Sequence, residues 1–201
     1  MMVATGISYR ESDRITELGS DQGVFITQLY YSVIDQGNRR WSRFEPLFEY
    51  QEGNNYAHPT FFNNDRSIVF SSDRPGGYGG MDLYISNWDD ETMSWSEPEN
   101  MGPRVNTEGD EIYPRVIGDA LYFSSNGLEG YGGYDIYRVS FGNGIVLPGS
   151  IFHFPYPINT VFNDFGIFYD SQDNGYFISD RAGMGTKDDI YTFDATWSAL
   201  S

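Results

Sequence analysis

Three features of the sequence predict an all-β fold. Aromatic residues make up 17% of the 201 residues, and 31 of the 35 are tyrosine or phenylalanine (Tyr 16, Phe 15, Trp 4), side chains that suit a pleated, half-buried surface better than a helix. Gly 23 and Pro 9 punctuate the chain with frequent turns. Apolar landmarks also recur at a fixed interval. Tyr30, Tyr84, Tyr137 and Tyr191 each close a short apolar segment and lie 54, 53 and 54 residues apart. Phe70, Phe123 and Phe177 follow at steps of 53 and 54, and Trp41 and Trp95 at 54.

Each unit reads in one order. A short segment such as HPTFF (58–62) or YPRVI (113–117) comes first, then a tight turn. A nearly continuous apolar run follows: Ile68-Val69-Phe70, Leu121-Tyr122-Phe123 or Tyr176-Phe177-Ile178. Such runs predict strands buried on both faces. A glycine-rich stretch leads into the strand that ends in tyrosine, and a last segment around Trp or Pro completes the unit. Four short strands in hairpin sequence form a sheet that cannot bury both faces alone and stacks on its neighbours. The predicted architecture is a single β-propeller domain of four-stranded antiparallel blades. It has about four repeats, over approximately 1–52, 53–105, 106–160 and 161–201. A β-sandwich is the competing architecture, but it gives no reason for Tyr, Phe and Trp to share one period.

The stretches DRPGGYGGMDLY (73–84) and GLEGYGGYDIY (127–137) join the second and third strands of their units. Glycine reaches left-handed backbone without steric cost, which permits a compact loop. Asp82, Asp135 and Asp189 recur at the loop exit, where a carboxylate can accept from loop N–H groups and hold the loop shut. These loops project on the face that carries the connections between blades. Arg74, Tyr78, Glu129, Tyr131 and Arg181 are therefore expected to gather on one rim as a binding surface. The tyrosines could equally fold back over their own loops.

Net charge is −17, from 29 acids against 12 bases. A surface of this sign repels phosphate backbones and anionic lipid, so nucleic acid is not an expected partner. Without cysteine, disulfides, thiolate zinc sites and thiol nucleophiles are excluded. The opening residues MMVATGISYRESDR contain no apolar core of about 7–15 residues, so they are not a signal peptide. No window reaches the roughly 18 apolar residues of a spanning helix, so direct membrane insertion is not expected.

Catalytic and metal motifs are not found. His58 and His153 lack partners at metal-binding spacing. No G-x-S-x-G occurs, and the pairs Ser71-Ser72 and Ser124-Ser125 end repeat strands. DSQDNG (170–175) departs from a calcium loop, with Gln172 at the third position and Arg181 at the twelfth. The acid pairs Asp89-Asp90 and Asp188-Asp189 fall at turns. No cofactor or metal is expected; calcium held by acids from distant blades is the one ion left open. A glycosidase would need two facing carboxylates, whereas the prominent acids here recur in register.

The segments FSSDRPGGYGGMDLY, YFSSNGLEGYGGYDIY and FISDRAGMGTKDDIY resemble the WD40-like repeats of TolB-type β-propellers. The intervening WSEPENMGPRVNTEGDEIYPRV resembles the propeller region of OmpA-family, outer-membrane-associated proteins, with PorE-like components of type IX secretion as one branch. The likeness covers about residues 24–193; the first unit lacks the glycine loop. It implies a non-enzymatic periplasmic scaffold that binds other envelope proteins, with peptidoglycan contact made by an OmpA-like domain not present in this sequence. A carbohydrate-binding or glycoside-hydrolysing propeller is the alternative. Such propellers usually have more blades, so this chain is expected to be an incomplete segment of a larger one.

Overall fold

The structure is a computed structural model. It describes residues 2–8, 26–35, 37, 39–49, 53–170, 174–181 and 188–194. Every element of regular structure among them is a strand. The first sheet orders β1 (Met2–Ser8), β2 (Ile26–Ser32) and β5 (Glu45–Pro46), and β3 (Ile34–Asp35) pairs with β4 (Arg40–Trp41) as a separate ribbon. The second sheet runs β6 (Tyr56–Phe62), β7 (Ser67–Ser72), β8 (Asp82–Asp89) and β10 (Glu99–Asn100), with β9 (Ser94–Trp95) on the far end of β8. In the third sheet β11 (Glu111–Ile117), β12 (Ala120–Ser125) and β13 (Asp135–Gly142) are followed by β14 (Ile145–Val146) and β15 (Phe152–His153), both on β13. The fourth sheet is β16 (Asp164–Tyr169), β17 (Asn174–Ser179) and β18 (Asp189–Asp194). All pairings are antiparallel.

The landmark residues occupy equivalent places. Phe70 lies opposite Tyr84, Phe123 opposite Tyr137 and Phe177 opposite Tyr191. Their rings stack with centroids 6.2, 5.8 and 5.6 Å apart. Phe70 and Tyr84 pack with Leu29 and Leu47 of the first unit. Phe123 and Tyr137 pack with Val69 and Leu83 of the second, and Phe177 with Ile136 and Phe154 of the third. Each sheet thus sets its aromatic pair against the sheet before it, and the core is a series of layers between sheets.

The four sheets differ from four identical blades. Among the described residues the first and fourth sheets have three strands, and no strand of one pairs with the other. The outermost strand of each of the first three sheets is only two residues long. Proline explains the brevity: Pro46, Pro98 and Pro155 sit within or beside these strands and have no N–H to extend the ladder. The innermost strands carry a bulge at one repeat position, where His58, Tyr113 and Gly166 take φ of 52, 52 and 63°. The His58 ring lies 3.9 Å from that of Tyr113, and Tyr113 stacks 5.3 Å from Phe165, so the bulges line up along the inner edge.

Successive sheets are also stitched by main chain. The Glu111 N–H donates to the Met81 carbonyl (2.5 Å), and the Met81 N–H donates to Asp110 Oδ1 (2.8 Å). Asn106 brackets Leu83, accepting from its N–H (2.8 Å) and donating to its carbonyl (3.0 Å). One unit later the pattern returns. Asp164 donates to the Tyr134 carbonyl (2.7 Å), Asn163 Oδ1 accepts from the Tyr134 N–H (3.0 Å), and Asn159 brackets Ile136 (2.8 Å at both ends).

Candidate binding surface

The glycine loops owe their shape mainly to close approach. Among the described loop glycines only Gly76 has a left-handed backbone (φ 93°). A Cβ on Gly79 would stand 2.4 Å from the Thr107 carbonyl oxygen, and one on Gly132 would stand 2.1 Å from that of Phe162. Added at Gly80 or Gly133 it would meet the side chain of Asp110 or Asn163. The loop of each unit therefore lies directly on the lead-in to the next, and no side chain fits between.

Asp82 and Asp135 are fully buried and hold these loops. Asp82 Oδ2 accepts from the Tyr78 N–H (2.5 Å) and from Asn100 Nδ2 (2.9 Å). Asp135 Oδ2 accepts from the N–H groups of Tyr131 (2.5 Å) and Gly132 (3.3 Å). The hydroxyls of Tyr84 and Tyr137 close the same loops by donating to the carbonyls of Arg74 (3.2 Å) and Glu129 (2.8 Å). Burial, then the Asp135 and Glu129 charges, push the Tyr137 hydroxyl well above its ordinary value. Asp189 opens β18 and is exposed; the loop before it, 182–187, lies outside the described residues.

The candidate rim residues divide into two groups. Arg74 donates to the Pro98 carbonyl (3.3 Å) and pairs with Glu97, over the Tyr84 ring. Arg181 reaches back to the third unit, donating to the carbonyls of Pro157 (2.6 Å) and Ile158 (2.5 Å) and to Asp164 (2.6 Å). Its Nε donates to Ser179 (2.9 Å), and its plane lies over Phe177 and Tyr191. Both guanidinium groups are thus engaged within the fold. Tyr78, Tyr131 and Glu129 are exposed; Tyr131 packs 4.7 Å from the His153 ring, which in turn stacks on Tyr137 at 4.9 Å.

Tyr131 and Arg181 share a cleft of about 470 Å³ at the junction of the third and fourth sheets, with Tyr156, Val161 and Phe162. Tyr78, Arg74 and Glu129 lie outside it. Tyr131 is 53% exposed, Tyr156 74%, Val161 75% and Phe162 38%, so the walls offer apolar surface to solvent. With Arg181 engaged, the described walls of the cleft present rings and no unpaired cation. The last three residues do not belong to the expected set, yet the repeat carries the signal for them. Val161-Phe162 stand where the previous lead-in has Glu108-Gly109, and Tyr156 stands where it has Pro103. A second cleft, about 660 Å³, lies between the first two sheets, lined by Leu47, Tyr56, Arg74 and Trp95 among others.

Acids and histidines elsewhere serve the fold. Asp170 accepts from the Asn174 N–H (3.0 Å) and the Tyr176 hydroxyl (3.2 Å), linking the facing ends of β16 and β17. Glu111 is buried and accepts from Thr107 (2.8 and 2.6 Å) and Ser125 (2.6 Å); burial raises its pKa above the ordinary carboxylate value. Among the described residues no group of three or more His, Asp or Glu side chains is arranged to hold a metal ion.

No family model and no curated protein matches the chain. Among solved structures it is similar to TolB from Acinetobacter baumannii, with a TM-score of 0.53 and 16% identity, over 85% of this chain and 36% of that one. It aligns also with α-L-arabinofuranosidase from Lactobacillus brevis at 13% identity, over 85% and 58% of the two chains, with a TM-score of 0.46 that supports no inference. This chain thus spans about a third of the TolB chain. At such identity the likeness is one of fold: a TolB-like β-propeller architecture.

Proposed function

We propose that this chain is a non-enzymatic protein-interaction module of the bacterial cell envelope, working in the periplasm as part of an OmpA-like or type IX secretion-associated protein. The observation that carries the reading is the exposed aromatic cleft at the third and fourth sheets. Tyr131, Tyr156, Val161 and Phe162 form contiguous apolar surface on a chain of net charge −17, and such surface marks an interaction site. Tyrosine and other aromatic anchors dominate the energetics of protein contacts. The TolB-like fold and the repeat resemblance support the envelope setting of this reading.

A photo-crosslinking residue at position 156 tests this in cells that produce the protein. One discrete protein adduct is expected, and Phe162→Ser abolishes it. In the purified pair, Tyr156→Ala weakens affinity by about tenfold or more while the melting temperature stays unchanged, since the ring is 74% exposed. Retention of soluble glycan by the cleft, with no protein adduct, would move the assignment to the carbohydrate-binding alternative.

A further inference from the structure

The cleft of about 660 Å³ between the first two sheets has Arg74 in its wall, and the repeat shows which partner that arginine lacks. Arg74 and Arg181 each lie four residues beyond the stacked phenylalanine of their sheet, and Gly127 holds the same place in the third sheet. The inner-strand residue opposite the last serine of the neighbouring strand also takes three forms. It is Tyr56 opposite Ser72, Glu111 opposite Ser125 and Asp164 opposite Ser179. The fourth sheet therefore has both halves of an ion pair, and Arg181 donates to the buried Asp164 (2.6 Å). The third has the acid alone, satisfied by Thr107 and Ser125. The second has the arginine alone, with tyrosine in the place of the carboxylate.

The Arg74 side chain is only 9% exposed, and a buried cation needs compensation. Among the described residues its five N–H groups meet two acceptors, the Pro98 carbonyl (3.3 Å) and Glu97. Glu97 reaches in from outside, with its side chain 79% exposed. An ion pair with one half in water is weak and readily exchanged. Phe48, Tyr56 and Trp95 give the same cleft apolar walls, and its volume is that of a small-molecule site.

We propose that this cleft binds a monocarboxylate carried on an aromatic or apolar body. The ligand's carboxylate replaces Glu97 on the Arg74 guanidinium, where it accepts from two N–H groups away from water. The body packs against Trp95 and Phe48, and the Glu97 side chain turns out into solvent. Glu49 also borders the cleft and the chain carries a net charge of −17, which disfavours a dianion and selects a single negative charge. A free aromatic acid and the C-terminus of a polypeptide share this chemistry. The site is separate from the aromatic cleft of the third and fourth sheets and does not depend on the function proposed for it.

N-acetylphenylalanine is the probe, followed by NMR at the Arg74 Nε–H and the Trp95 indole N–H. It shifts both resonances saturably, and N-acetylphenylalaninamide, with the same ring and no charge, shifts neither. Glu97→Gln removes the competing carboxylate and tightens binding by about threefold or more, while Arg74→Gln abolishes it. If Arg74→Gln does not fold, the amide and Glu97→Gln still decide. A tetrapeptide ending in phenylalanine with a free carboxylate separates the two sources. It binds more tightly than N-acetylphenylalanine where the ligand is a chain end, and more weakly where the ligand is a free acid. Equal binding of acid and amide, weaker binding in Glu97→Gln, or no saturable shift at either resonance would overturn the proposal.

Discussion

At the scale of single residues, the fold depends on positions where nothing larger fits and on ionisable groups whose charge the fold disfavours. Gly132→Ala sets a Cβ 2.1 Å from the Phe162 carbonyl oxygen and forces the lead-in of the fourth sheet outward. Loss of about 1–3 kcal/mol in chemical denaturation is expected. Gly142→Ala meets nothing within 4 Å and should leave stability unchanged or slightly raised. His58 supplies a pH-dependent term. Burial lowers its pKa from 6.5 to about 4, so between these values the unfolded chain binds the proton and the folded chain does not. Its contribution is complete above pH 6.5 and is lost as pH falls toward 4, on the order of 3 kcal/mol. Glu111 has the opposite sign: its raised pKa means that its contribution fades as pH rises through the folded value. His58→Asn keeps the left-handed backbone and should flatten the stability profile between pH 4 and 6.5 in urea titrations.

At the scale of elements, the inner strands of the second, third and fourth sheets are each tied to the end of their neighbour by an Asn–Asp bracket. Asn55 donates main-chain and side-chain N–H to Asp73 (2.5 and 2.7 Å), and Asn163 does the same to Asp180 (2.9 and 2.7 Å). In the third sheet the partners are exchanged: the Asp110 N–H donates to Asn126 Oδ1 (2.6 Å), and Asn126 Nδ2 donates to Asp110 (3.3 Å). Asn126→Asp alone sets two carboxylates against each other and should cost about 1–3 kcal/mol. Adding Asp110→Asn rebuilds the arrangement of the other sheets and should recover most of that loss, as a double-mutant cycle of unfolding free energies will read. This exchange is also why the bracket was not legible in the sequence, where the identities swap from unit to unit. The Phe–Tyr pairs were legible because burial leaves an apolar period that survives changes of side chain. The glycine loops were legible as loops, but their cause was not. Among the described loop glycines the expected left-handed freedom holds for Gly76 alone; Gly79, Gly80, Gly132 and Gly133 are small because the lead-in to the next sheet lies against them, and Gly77 and Gly130 because Asp82 and Asp135 do. Arg74 and Arg181 show a similar limit: their place in the loops predicted a rim, and only the fold reveals the carbonyls and rings that engage them.

At the scale of the whole molecule, sheets are held together less by strand pairing between them than by aromatic layers and by two asparagines in the connections. The period of the sequence announced the layers. Asn106 and Asn159 were silent, because a polar residue in a Thr- and Gly-containing lead-in reads as turn chemistry whether or not it reaches the preceding sheet. The cleft at the third and fourth sheets was half legible, through Tyr131 and Arg181, and its other walls show only when one repeat is laid against the next. The central claim is that each unit completes the one before it. Amide exchange of Leu83 and Ile136 in Asn106→Ala and Asn159→Ala tests this most directly. Asn106→Ala should release Leu83 and leave Ile136 slow, and Asn159→Ala should release Ile136 and leave Leu83 slow. Release confined to the mutated unit itself, or no release at either strand, would contradict it.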